Sequence, residues 1–505
     1  MSEDDERWRS LPTVDPGSAR TLGEAALRGA RWVTLSRLGI EILGFASSIV
    51  LARLITPTEF GYAAIALIVG ALAGGVTSMG IGAALVQMRE TSSHSIEAAV
   101  GLSVLLGVTA AGVTFAAAPL MRDLVGSPVV DLVRLMSISF VLAGLGAVPD
   151  AMLQRRLDFP RLSKIELTSS MAGIVTSLGC ALAGMNAEAI IAGALVLALT
   201  STLMRFIAAC PPWPRWHRPE IRTLVRFGLP ASGASLAYTA SRNVDYLIVG
   251  SRLGATEVGI YYRAYTLGVE YQAKVSQILL RIAFPVLSRA SDFESLRELR
   301  RRMVRLHAVL LLPPLGLLIV VGPTLVPWLY GSVWEEAGHL VQWLAVAGMA
   351  AVIATGTGPV LLATGHPRAL RNYNLASLVV FAIVVYVAAG SGTTAIAIAV
   401  ALYRVASMLS SQHLLIQRLV GISMLEMLRN DAAPAAAGTV VLMGAAALVL
   451  HALLAEGAPT VAALGAAGVV GLAAYWGVLR IAFAETLADV TRLTRRFLPQ
   501  RQRAT

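Results

Sequence analysis

Charge is scarce in this sequence. Asp, Glu, Lys and Arg together make up 14% of its 505 residues, about half the ~25% share of a typical soluble domain. Lysine is rarer still. Lys164 and Lys274 are the only two, so arginine carries the formal net charge of +11. The two cysteines, Cys180 and Cys210, fall in or beside apolar stretches. They offer no disulfide framework and no metal pattern. The chain has no GxxxxGKS-type loop to cradle a nucleotide phosphate, which excludes an ATPase of that kind. Its seven histidines are scattered, without metal-ligand spacing or a Ser/His/Asp grouping. No catalytic residue, metal ligand or resident cofactor is therefore assigned. The basic excess is divided among many short segments and forms no single stripe, which argues against nucleic acid. Anionic lipid headgroups suit it better. The polar N-terminus, MSEDDERWRSLPTVDPGSAR, lacks the early apolar core of a cleavable signal peptide and reads as a cytoplasmic tail.

What the chain does have is apolar length. Its composition is 56% apolar and its mean hydropathy is +0.69. A spanning helix needs about twenty mostly apolar residues. Fourteen such spans are predicted, near 31–54, 60–86, 97–121, 131–153, 163–184, 187–209, 227–250, 261–286, 305–330, 338–363, 369–390, 393–417, 433–455 and 459–480. The gaps between them alternate, one arginine-rich and the next nearly free of positive charge. Arg53, Arg122 and Arg252 are the only basic residues on one side. The opposite side, with the tails, outnumbers them roughly ten to one, which predicts that both termini are cytoplasmic. No outer connection is long, whereas multi-span glycosyltransferases, ligases and polymerases need a sizeable outer domain or catalytic loop.

An internal repeat divides the spans. Arg53-Leu54-Ile55-Thr56-Pro57-Thr58-Glu59-Phe60-Gly61-Tyr62 follows span one, and Arg252-Leu253-Gly254-Ala255-Thr256-Glu257-Val258-Gly259-Ile260-Tyr261 follows span seven. Both join the first and second helix of a six-helix block. Two homologous lobes in parallel orientation follow, a transporter signature. The expected architecture is an all-α polytopic membrane protein of about 14 transmembrane helices. It has a cytoplasmic tail at 1–30, an N-lobe of helices 1–6 at 31–209, a cytoplasmic linker at 210–226 and a C-lobe of helices 7–12 at 227–417. A cytoplasmic loop with helices 13–14 follows at 418–480, and a basic cytoplasmic tail at 481–505. Trp213, Trp216 and the arginines of the linker suit an interfacial position.

Charges inside a bilayer cost several kcal/mol each, so they face protein or water and mark pathways. In span one, Arg37 and Glu41 share a face at i and i+4. They read equally well as a site for an anionic headgroup and as a packing pair. In span seven Arg242, Asn243 and Asp245 cluster, with Arg242 the favoured anion contact. Asp245 orients it, is a protonatable coupling site, or forms a purely structural pair with it. In span eight Glu270, Lys274, Gln277 and Arg281 are spaced 4, 3 and 4 apart and make one polar stripe. That stripe is untenable against lipid, so it lines water or another lobe. Arg404 in span twelve has no partner nearby in sequence. Arg134, Asp150 and Arg263 lie nearer span ends, where snorkelling accounts for them.

The run Leu51 to Leu67, LARLITPTEFGYAAIAL, resembles the first hairpin of bacterial polysaccharide transporters. These are Wzx-type oligosaccharide flippases of the multidrug/oligosaccharidyl-lipid/polysaccharide (MOP) exporter superfamily. Gln154-Arg155-Arg156-Leu157-Asp158-Phe159, Arg242-Asn243-Val244-Asp245-Tyr246 through Gly254, Gly259 to Leu267, Phe284-Pro285-Val286-Leu287-Ser288-Arg289 and Ala363-Thr364-Gly365-His366-Pro367 match in the same order. The resemblance covers roughly residues 25–420 and is specific as a set. It departs in span two, where Ser78-Met79-Gly80 replaces an expected acidic residue. It implies two six-helix lobes forming a V-shaped cavity lined by spans one, two, seven and eight. The implied activity is alternating access that moves an undecaprenyl-diphosphate-linked oligosaccharide to the periplasmic leaflet of the inner membrane. The implied headgroup contacts are Arg37, Arg242, Lys274, Arg281 and Arg404, with Glu41, Asn243, Asp245, Glu270 and Gln277 as cavity or coupling groups. Coupling to H+ or Na+ and cooperation with a polysaccharide polymerase and co-polymerase follow from the same source. The alternatives are a lipid II-type flippase, a cation-coupled drug exporter, which the net-positive buried charge disfavours, and a membrane glycan polymerase or ligase.

Overall fold

The computed structural model describes residues 19–77, 79–88, 92–287 and 293–484. The side chains of residues 19–35, 72–80, 83, 87, 124, 227, 229–238 and 281–287 lie outside the description. The described chain is helical, with no strand among the described residues. Ten of the described helical stretches are long and apolar enough to cross a membrane. They coincide with the predicted spans three to six and nine to fourteen. Predicted spans one, two, seven and eight are helical as well. The first is α1 (Ala19–Leu54), and the second is α2 (Pro57–Thr77) followed by α3 (Met79–Gln87). The seventh lies in Arg218–Leu253 and the eighth in 255–287.

By internal contacts the chain divides into residues Met1–Gly259 and Ile260–Thr505. In the first unit, α4 (Ser93–Ala117) is followed by α5 (Pro128–Arg155), α6 (Phe159–Leu182), α7 (Ala187–Ala209) and α8 (Arg218–Leu253). Helix α5 packs against α2, α4 and α7, α1 packs on α6, and α8 packs on α2 and α3. One core of this unit gathers Ile81, Leu85, Ile96, Leu153, Ile165 and Leu224. The motif at 154–159 forms the turn between α5 and α6. Arg155 donates to the carbonyls of Leu85 (2.7 Å) and Met88 (2.6 Å), satisfying the open end of α3. Leu157 adopts φ +54°, and the Asp158 carboxylate accepts the Arg161 amide at 3.2 Å as the N-cap of α6.

The two repeated hairpins meet. Helix α9 (Ala255–Tyr265) begins at the second copy, as α2 begins at the first. The hydroxyls of Thr58 and Thr256, equivalent in the repeat, lie 2.8 Å apart. A Cβ on Gly61 would fall 1.8 Å from the Ala255 carbonyl oxygen, and one on Gly259 would fall 1.9 Å from that of Pro57. The contact is therefore reciprocal, backbone on backbone. Lipid offers helices no hydrophobic drive to associate, so close packing through small residues supplies it.

In the second unit a π-helical segment, Thr266–Glu270, joins α9 to α10 (Tyr271–Leu287). Then come α11 (Phe293–Tyr330), α12 (Glu335–Ile353), α13 (Thr357–Ala363), α14 (Pro367–Ala388), α15 (Thr393–Ser411), α16 (Ala433–Ala455) and α17 (Thr460–Ala482). Helix α11 packs on α12 and α16, α12 on α15, α14 on α15 and α16 on α17. Gly61→Val and Gly259→Val should each destabilise the detergent-solubilised protein by the ~1–3 kcal/mol typical of overpacking. Gly444→Val, where an added Cβ meets nothing within 4 Å, should leave the unfolding midpoint unchanged. Equal midpoints for all three variants would show that the hairpins do not pack this closely.

Candidate functional site

In the first unit Arg37 reaches across from α1 to Glu166 on α6, at 3.9 Å, with both side chains about one-third exposed. Glu41, one turn along, is half-buried and engaged in its own polar interaction. The expected pair at i and i+4 thus gains a partner from another helix. On α8, Arg242 is half-buried while Asp245 is fully buried. Asp245 Oδ1 accepts the Tyr246 amide at 3.1 Å, and both Arg242 and Asp245 have further polar partners. Asn243 Nδ2 donates to the Thr239 carbonyl at 2.7 Å. Part of its amide is turned back on its own helix, which leaves the side-chain oxygen as its outward group.

In the second unit Glu270 closes the π-helical segment, where it accepts from the Thr266 hydroxyl at 3.5 Å. Such one-turn irregularities recur at functional sites because they re-aim the side chains beyond them. Lys274 and Gln277 are exposed on α10, while Gln272 and Ser276 on the same helix are buried. The expected stripe is therefore the open face of this helix as far as Gln277. The Arg281 side chain lies outside the described residues. The Lys274 ammonium stands 5.2 Å from the Tyr271 ring centroid. Arg404 acquires the partners that its sequence neighbourhood lacked. Its Nη2 donates to the Tyr265 hydroxyl at 3.3 Å, and its guanidinium lies 5.4 Å over the Phe381 ring.

Two residues read as snorkelling do something else. Arg263 is 5% exposed, with its guanidinium 5.4 Å from the Tyr330 ring centroid and 5.9 Å from that of Trp334. An aromatic box, not the membrane surface, stabilises its charge. Asp150 pairs with Arg205 on α7 at 3.1 Å and accepts from Gln154 at 2.7 Å. Arg205, Tyr330 and Trp334 are all remote in sequence from the charges they meet.

The structure also shows a charge cluster that reading by spans had treated only as topological signal. Arg297 pairs with Glu426 and Glu294. Arg301 reaches Asp431 at 3.3 Å and Glu298 at 3.6 Å. Arg302 holds Glu298 at 2.7 Å, and Arg305 lies 3.6 Å from Asp431. Arg300, 1% exposed, donates to Gln412 and contacts Met427 Sδ at 3.3 Å. Gln412 in turn donates to Thr357 at 3.0 Å. The spacing of Arg297, Arg301 and Arg305, one helical turn apart with acids interleaved, is a signal that could have revealed it. Among the described residues no group of three or more His, Cys, Asp or Glu could hold a metal ion.

Residues 50–339 match the family model described as "Polysaccharide biosynthesis protein". The lipopolysaccharide biosynthesis protein WzxC of Escherichia coli K12 is 26% identical over 362 residues, covering 70% of this chain and 73% of that protein. The teichuronic acid biosynthesis protein TuaB of Bacillus subtilis 168 is 27% identical over 376 residues, covering 73% and 77%. The succinoglycan biosynthesis transport protein ExoT of Rhizobium meliloti 1021 is 25% identical over 325 residues, covering 63% and 65%. The lipid II flippase MurJ superposes with TM-score 0.67 at 12% identity over 90% of this chain and 99% of its own. A multidrug resistance MATE family transporter of the MOP superfamily gives 0.59 at 12% identity over 76% and 95%. These structures share the fold.

The cluster itself yields a test. Asp431 is 2% exposed and faces Arg301 and Arg305, so Asp431→Ala leaves cationic groups without their buried partner. Stability should fall by about 3 kcal/mol or more, read as a lower unfolding midpoint in detergent. Arg302→Gln, at an exposed pair, should change it by no more than about 0.5 kcal/mol.

Proposed function

This chain belongs to the polysaccharide biosynthesis protein family, and we infer from that membership that it is a flippase for polysaccharide precursors, a transporter and not an enzyme. We propose that the precursor is an undecaprenyl-diphosphate-linked oligosaccharide repeat unit, moved across the bacterial inner membrane by alternating access. The product would be a surface polysaccharide such as lipopolysaccharide O-antigen, capsule or exopolysaccharide. Both termini would face the cytoplasm, and a polysaccharide polymerase and co-polymerase would act on the flipped product.

The observation that carries this reading is the retention of half-buried guanidinium groups in otherwise apolar helices: Arg37 and Arg242 in the first unit, Arg404 in the second. A diphosphate is an anion whose oxygens match the planar fork of arginine, and such charge-assisted bonds are about twice as strong as neutral ones. Taking guanidinium and diphosphate out of water together leaves neither charge unpaired, whereas either alone would be costly. Arg404 lies over the Phe381 ring and donates to the Tyr265 hydroxyl. Lys274 adds an exposed cation. Asn243, Gln277 and Tyr238 would supply the loose polar contacts that a sugar chain needs. Asp245 and Glu270 are the carboxylates offered for H+ or Na+ coupling.

The experiment is a comparison of wild type, a deletion strain, Arg242→Ala and Arg404→Ala, with protein abundance checked. Surface glycan and the lipid-linked intermediate of each leaflet are quantified. Deletion should trap the intermediate in the cytoplasmic leaflet. Each alanine variant should lower flipping about ten-fold or more at normal abundance, the loss of charge-assisted hydrogen bonds worth ~1.5–3 kcal/mol. An intermediate that reaches the periplasmic leaflet in the deletion strain but stays unpolymerised would overturn the flippase reading.

A further inference from the structure

The segment 210–226 has two unlike sides. Its inner side is fastened to the start of α4. The His217 ring nitrogen lies 3.0 Å from the Glu97 carboxylate, and the Arg215 amide donates to the Glu97 carbonyl at 3.3 Å. The Ser95 hydroxyl donates to Glu220 at 2.8 Å. His94 stands edge-on to His217 at 4.5 Å. Ile221 and Leu224 pack into the apolar core of the same unit. Glu220, the only acidic residue of the segment, is thus turned inward and occupied.

The outer side is left with cations and indoles. Trp213 is 86% exposed and Trp216 61%. Arg215, Arg218, Arg222 and Arg226 are all exposed, and the last three recur every four residues along α8, on one helical face. Pro211, Pro212 and Pro214 stiffen the stretch before the helix. Two exposed indoles beside four arginines, with the acid withdrawn, have no purpose toward water. This composition fits the headgroup region of an anionic bilayer, where indole sits at the boundary and arginine meets phosphate.

We propose that residues 210–226 form a strap that binds the anionic phospholipid surface, with Trp213 and Trp216 set at headgroup depth and Arg215, Arg218, Arg222 and Arg226 on lipid phosphates. The polar fastening to α4 holds the strap in register with the first unit. This binding is separate from transport of a substrate, so its failure leaves the flippase reading untouched.

The full-length protein is reconstituted in nanodiscs of phosphatidylcholine alone or with about 30% phosphatidylglycerol, each with and without lipid brominated near the carbonyl end of the acyl chain. Subtracting the emission of Trp213→Phe/Trp216→Phe from that of wild type isolates the two indoles. Brominated lipid should quench that difference, and anionic lipid should deepen the quenching about two-fold or more. Replacing the four arginines by Gln should abolish the dependence on anionic lipid. Quenching by aqueous acrylamide with indifference to brominated lipid would overturn the proposal. So would equal behaviour in both lipid mixtures, or shielding that appears only after a cytosolic extract is added, which would point to a protein partner.

Discussion

Hydrocarbon solvates neither a guanidinium nor a carboxylate, so each charge placed at bilayer depth must find a protein partner or a wet surface. Most of the polar architecture here follows from that requirement. Arg37 is met by Glu166, Asp150 by Arg205, Arg404 by Tyr265 and Phe381, and Arg263 by Tyr330 and Trp334. These partners come from different helices, so each charge also ties its helix to a neighbour.

A second constraint acts on the backbone. Helices in lipid gain their cohesion from close approach, and the repeated hairpins achieve it with Gly61 and Gly259 facing each other's preceding turn. The sequence repeat is therefore also a contact. Because each glycine clears the carbonyl of the other copy, a side chain on either would push at the same junction, and the two positions constrain each other.

The helical spans and several polar positions could be read from residue order because they depend on local composition and on helical spacing. The face carrying Lys274 and Gln277 was legible for that reason. The partners were not. Arg301 meets Asp431 from 130 positions away, and Arg404 meets Tyr265 from 139. Nothing in either neighbourhood encodes such a distance. Arg263 was misread because a cation near a span end is usually explained by the membrane surface, while the aromatic residues that bury it belong to the end of α11 and the turn after it. Arg300 is the buried member of a run of arginines, and nothing in the run itself distinguishes it from its exposed neighbours.

Arginines in this protein divide by how their charge is met. At the foot of α11, Arg301 and Arg305 spend their donors on carboxylates, so the group is neutralised and holds helices together. Over an aromatic ring the guanidinium is met through its face by the ring's quadrupole, which uses none of the N–H groups at its edge. Arg263 is enclosed in this way and has little room for a ligand. Arg404 is half-exposed, with the Phe381 ring 5.4 Å from its guanidinium and the Tyr265 hydroxyl at its edge. It is the more accessible of the two. Lysine, a strongly hydrated point charge, lacks the planar face for such stacking and loses more on leaving water.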